Sequence, residues 1–102
     1  MLSRELTKLG NEERQDIEFV LSNGNSLFLN FYFNINTNFW YLNMEYEDFK
    51  YNGIQVVYHD NLLRQFSNLL PFGIQIYSTK GLSPMTINSF IDGSCKVIIN
   101  EF

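Results

Sequence analysis

Three carboxylates crowd the stretch MEYED, where Glu45, Glu47 and Asp48 fall within four residues. Glycoside hydrolysis needs two carboxyl groups facing one cleft, and Glu45 and Glu47 do share the parity of a strand. They sit beside a turn, however, where solvated acids are commonplace. His59 and Cys95 are the only histidine and the only cysteine, and no spacing links them as nucleophile and base. A zinc site needs three or four clustered ligands, and a disulfide needs a second cysteine. Cys95 lies in the apolar run SCKVII, where a thiol behaves as a small core hydrophobe. Asp92-Gly93 fits a turn. Glycine-rich phosphate loops, nucleophile elbows and triad spacings are all missing from the chain. Trp40 could stack on a ligand, but its alignment with Leu42 and Met44 reads as a core anchor. The residues with reactive chemistry therefore predict no enzyme, no cofactor, no metal and no disulfide.

Charge narrows the partners. The formal net charge of −4 and pI near 4.8 leave no polyanion-binding patch. The seven cations (Arg4, Lys8, Arg14, Lys50, Arg64, Lys80, Lys96) are dispersed, whereas nucleic-acid binding needs them clustered. The amino-terminal MLSRELTKLGNEERQ lacks the apolar core of a signal peptide, and no run reaches transmembrane length. Neither nucleic acid nor a membrane is an expected partner, and synthesis in a reducing cytoplasm is expected. Aromatic residues make up 17% of the chain and alanine is absent, which tilts the inventory toward strands.

The elements that must position these residues follow from periodicity. Residues 1–15 are polar and read as an arm without a core-facing stripe; residues 16–102 form a single domain. Ile17, Phe19 and Leu21 alternate with Asp16, Glu18 and Val20 as in a half-buried strand. Asn23-Gly24 signals a hairpin, and a second strand, 26–34, alternates Leu27, Leu29, Phe31 and Phe33 with Phe28, Asn30, Tyr32 and Asn34. The Asn-rich NINTN turns the chain into a third strand, 39–46, with Trp40, Leu42, Met44 and Tyr46 on one face. A turn at EDFKYNG precedes the strand IQVVY. Leu62, Leu63, Phe66, Leu69 and Leu70 then fit one face of a short helix, capped by Asp60 or Asn61 and stopped by Pro71. GIQIYST and CKVIINEF supply the last strands. The expected fold is mainly β: a small antiparallel β-barrel or strongly curved sheet of about six strands with one short α-helix. Trp40, Leu42, Leu63 and Phe66 are its expected core anchors, with Phe19, Leu27, Leu29, Phe31, Ile54, Ile74, Ile76 and Val97.

One face is left unexplained by folding alone. A solvated sheet alternates apolar and polar residues, yet Phe28, Tyr32, Phe39 and Tyr41 point away from the predicted core, joined by Val57, Tyr77 and Ile98. A contiguous exposed aromatic group marks an interaction site. We therefore read Phe28, Tyr32, Phe39 and Tyr41 as a subunit-contact surface.

The order of segments carries a resemblance. FVLSNGNSLFLNFYFN, FWYLNMEY, GIQVVYHDNLLRQF, FGIQIYS and SPMTINSFIDGSCKVII together resemble the phage baseplate plug proteins, small β-domains of contractile tails. The likeness covers residues 16–100 and rests on the fixed order of W-x-L, G-I, N-L-L and S-P. It departs at the charged residues 1–15 and at Asn43, where the family favours an acid. The resemblance implies a virion structural protein without catalytic or cofactor residues. It would pack among hub, tube-initiator and spike proteins of the tail baseplate, in multiple symmetric copies. The competing expectation is a free-standing small-ligand or carbohydrate-binding β-barrel, which requires a cavity lined by Trp40.

Overall fold

The computed structural model describes residues 2–7 and 9–102. It has seven strands: β1 (Leu2–Glu5), β2 (Arg14–Val20), β3 (Ser26–Asn34), β4 (Phe39–Tyr46), β5 (Phe49–Gln55), β6 (Phe72–Ser78) and β7 (Cys95–Glu101). They form two antiparallel sheets, β2-β3-β4-β5 and β1-β7-β6. The sheets stay separate, so in place of the expected single barrel or strongly curved sheet of about six strands there are seven strands in two sheets that share one core.

The period-two pattern decides the inner face of the larger sheet. Leu27, Leu29, Phe31, Trp40, Leu42, Met44 and Ile54 are buried there. Ile74, Ile76, Val97 and Ile99 answer from the smaller sheet, and the two sets form one core cluster. Tyr46 of β4 meets Phe72 of β6 edge-to-face at 5.2 Å, bridging the sheets. Phe19 and Phe66, expected in the core, are only partly buried against its margin.

Three local readings change. The segment read as a polar arm supplies β1, whose Leu2–Glu5 pair with Glu101–Ile98 of β7, and its Leu6 and Leu9 are buried. With only three leucines, Leu2, Leu6 and Leu9, that segment shows no period of two, and pairing with β7 dictates its conformation. Met1 and Lys8 of the same segment lie outside the described residues. Asn52-Gly53 forms no turn. Glu47-Asp48 makes the hairpin instead, with Glu47 at φ 53°, and the pairing shifts register between Leu42 and Met44. Asn52 and Gly53 thus stand opposite Asn43 as a bulge, using at Gly53 (φ 76°) the backbone freedom that suggested a turn.

The predicted α-helix is reduced to a 3-10 turn, Arg64–Phe66, within a chain of short turns. Tertiary bonds claim its start: the Leu62 N–H donates to the Ile74 carbonyl at 2.8 Å. Asn61 Oδ1 accepts from both Leu63 N–H (2.9 Å) and Ile74 N–H (3.2 Å). So short a segment cannot offset helix nucleation once those bonds tie it to a sheet edge. Leu63 and Leu70 are still buried, but Leu69, predicted on the same face, is 70% exposed.

Candidate protein-contact surface

Antiparallel pairing places the outward residues of β2–β5 in rows. Tyr32 pairs with Tyr41, Asn30 with Asn43, Phe28 with Glu45, and Asn34 with Phe39. Tyr32 and Tyr41 stack at 5.5 Å with planes 20° apart. The Arg14 guanidinium lies 5.3 Å from the Tyr32 ring centre, a cation–π arrangement that keeps a cation on the aromatic row. The Tyr41 hydroxyl lies 3.2 Å from Thr37 Oγ1 in the turn. At the tip of that turn Ile35 is 73% exposed.

A band of amides crosses the same face. Asn30 Nδ2 donates to Asp16 at 2.7 Å, and Asn43 Nδ2 donates to Asn30 Oδ1 at 3.2 Å. Gly53 N–H in the bulge donates to Asn43 Oδ1 at 2.9 Å. One hydrogen-bonded line thus spans all four strands. Asn43 both donates and accepts a hydrogen bond in it, which an acid at that position could not do while ionised. The band divides the predicted surface. Tyr32, Tyr41 and Phe39 lie toward the β3–β4 turn, with Ile35 beyond them; Phe28, 49% exposed, stands on the other side, between Glu18 and Glu45. Three of the four expected contact residues therefore group and Phe28 does not. Ile35 escaped the sequence reading, although its being the only apolar residue within NINTN was the available signal.

The reactive residues disperse. Glu45 faces outward with Lys50 Nζ 3.8 Å away, and Glu47 accepts from Asn25 Nδ2 at 2.6 Å in its turn. His59 Nδ1 accepts the Asn61 N–H at 2.9 Å, a local loop contact. Cys95 is buried, and burial pushes its thiol above the usual range. Among the described residues no group of three or more His, Cys, Asp or Glu side chains is placed to hold a metal. Trp40, the required lining of a ligand cavity, has no exposed surface. Its indole N–H donates to the Thr86 carbonyl at 3.0 Å, and its ring meets Phe33 and Phe90 at 5.4 and 5.3 Å. The carbohydrate-binding barrel loses both its barrel and its stacking platform.

One charged cluster was not foreseen. Glu101 is 8% exposed. It accepts from Arg4 Nη2 at 2.7 Å, and its other oxygen accepts from the Ser22 N–H and hydroxyl at 2.8 and 2.7 Å. Arg4 also donates to the Val20 carbonyl at 2.9 Å and lies 4.5 Å from the Phe19 ring centre. Burial alone would raise the Glu101 pKa, but the Ser22 and Arg4 bonds outweigh it and hold the carboxyl below the usual range. The cluster ties β1 and β7 of one sheet to the β2–β3 hairpin of the other.

The small two-sheet β-domain carries on its outer face the stacked pair Tyr32 and Tyr41, each half-buried. The chain matches, over residues 5–101, the family described as "Cyanophage baseplate Pam3 plug gp18", and it belongs to that family. Membership sets it among the structural proteins of phage-tail baseplates. No curated protein matches the chain. No helix among the described residues is long and apolar enough to cross a membrane.

Proposed function

We propose that the protein is a non-enzymatic plug or adaptor of a phage baseplate hub, residing in the virion tail. It packs there in several symmetric copies against hub and tube-initiator proteins. The observation that carries the reading is the family match, which spans nearly the whole chain, residues 5–101. The aromatic row supports the way it packs. Tyr32 and Tyr41 are stacked on each other, beside Phe39 and the exposed Ile35, and they serve as subunit contacts. Aromatic side chains buried at the centre of an interface commonly supply most of its affinity. Phe28 contributes a separate contact beyond the amide band.

The test is the double substitution Tyr32→Ser with Tyr41→Ser, in a phage genome or in trans. Both rings lie on the outer face of the sheet, so the purified variant is expected to stay folded by circular dichroism. It is expected to be missing from tails isolated on a density gradient, where the wild-type chain co-migrates. Normal incorporation of the variant refutes the contact assignment, and a wild-type chain absent from tails refutes the baseplate role itself.

A further inference from the structure

Sheet edges are templates for a further strand unless something blocks them, and three of the four edges here are blocked. The β6 edge is occupied by the bridge from His59 to Ile76 and by the Leu62 N–H bond to Ile74. The β5 edge is broken by the bulge at Asn52-Gly53. The β1 strand is only four residues long. The β2 strand differs: it pairs with β3 in unbroken register from Arg14–Tyr32 to Val20–Ser26.

Its parity can be read from the ladder. Leu21 N–H bonds Asn25 and Phe33 N–H bonds the Glu13 carbonyl, so odd-numbered residues aim their backbone groups at β3. Antiparallel strands alternate in this respect, so Arg14, Asp16 and Glu18 aim theirs outward. Among the described residues nothing bonds those outward groups. Arg4 takes the Val20 carbonyl and closes the edge at that end. Along the edge runs an open groove of about 700 Å³, lined by Arg14, Asp16, Glu18 and Val20 among others. Asp16 is held by Asn30 and Glu18 by the Ser26 hydroxyl, and neither has a cationic partner among the described residues.

We propose that the Arg14–Glu18 edge of β2 is a second docking site, which takes an extended strand from another baseplate protein. That strand carries Lys or Arg at the two positions opposite Asp16 and Glu18. Its backbone completes the outward N–H and C=O groups, and its cations fall within cross-strand reach of the two carboxylates. A second copy of this chain fits less well. The register that sets Arg14 opposite Glu18 also sets Asp16 against Asp16, and each copy carries a net charge of −4. The inference rests on the baseplate role proposed above.

The test compares amide hydrogen exchange in the free chain with quenched exchange in isolated tails. The Asp16 and Glu18 amides are expected to exchange freely in the free chain and at least ~100-fold more slowly in tails. Those of Ile17 and Phe19 stay protected in both. Unchanged exchange of Asp16 and Glu18 in tails that contain the chain overturns the edge site while leaving the baseplate role standing. Protection of the same amides in the free chain, with dimers in solution, overturns the choice of occupant. Asp16→Pro removes an outward N–H, the substitution an edge tolerates, and is expected to fold yet fail to enter tails; folded protein that enters normally refutes the proposal. If that variant does not fold, Asp16→Lys with Glu18→Lys keeps the backbone intact. Normal incorporation of the double lysine variant refutes the cationic partner.

Discussion

Trp40 offers the sharpest test of how the domain is held together. Its ring is fully buried, touches Phe33 and Phe90, and donates its indole N–H to Thr86 across a 46-residue separation. It therefore pins the long segment between β6 and β7 onto the core. Trp40→Ala removes the ring and is expected to cost about 3–5 kcal/mol, the usual loss for a buried aromatic. A domain of this size has about 5–15 kcal/mol in all, so the loss is a large share of the total and nearly all of it at the low end of that range. Trp40→Phe separates the contributions. The second ring of the indole goes, but one aromatic ring still meets Phe33 and Phe90; the carbonyl of the exposed Thr86 loses its donor, a loss of about 0.5–1.5 kcal/mol. Trp40 is the only tryptophan, so urea unfolding must be followed by far-ultraviolet circular dichroism rather than by its fluorescence. The expected order of midpoints is wild type, then Trp40→Phe, then Trp40→Ala. A Trp40→Ala protein that unfolds at the wild-type midpoint refutes the reasoning, as does a Trp40→Phe variant as unstable as Trp40→Ala.

Two further outcomes follow from the packing. The folded-state pKa of Glu101 is depressed by Ser22 and Arg4. Its contribution is therefore present above the unfolded carboxylate value and is lost as pH falls through the lower folded value. Glu101→Gln is expected to cost about 1.5–3 kcal/mol at neutral pH, the range for hydrogen bonds to charged groups. The gap to wild type should close in acid; urea midpoints across the acidic range check this, and a gap that widens in acid would count against the cluster. At Gly73 a Cβ would lie 2.7–2.8 Å from the Asn61 side-chain amide, the same amide that accepts from Leu63 and Ile74. Gly73→Ala is expected to lower stability by about 1–3 kcal/mol, as overpacking does, and an unchanged thermal midpoint would contradict that close approach.

The inner faces of the strands were legible because a period of two is a local property. Leu27, Leu29, Phe31, Trp40, Leu42, Ile54, Ile74, Ile76 and Val97 all lie where alternation puts them, at the centre of the core. The outward aromatics were legible for the same reason: Tyr32 and Tyr41 break the polar half of the alternation. What alternation could not decide was anything that depends on a distant partner. Leu62–Leu70 carries a helical stripe, yet Asn61 and Leu62 bond to β6, and that tertiary pairing overrides a weak local preference. Arg4 and Glu101 stand 97 residues apart, so nothing in either neighbourhood announces their ion pair or turns a polar arm into a strand. Nothing local links Asn30 with Asn43, and only the register of four strands aligns them with Asp16 and Gly53 into a band that separates Phe28 from Tyr32. Sequence determined which side of each strand is apolar; the pairing of strands decided which exposed residues are neighbours, because register is a relation between segments that neither segment contains.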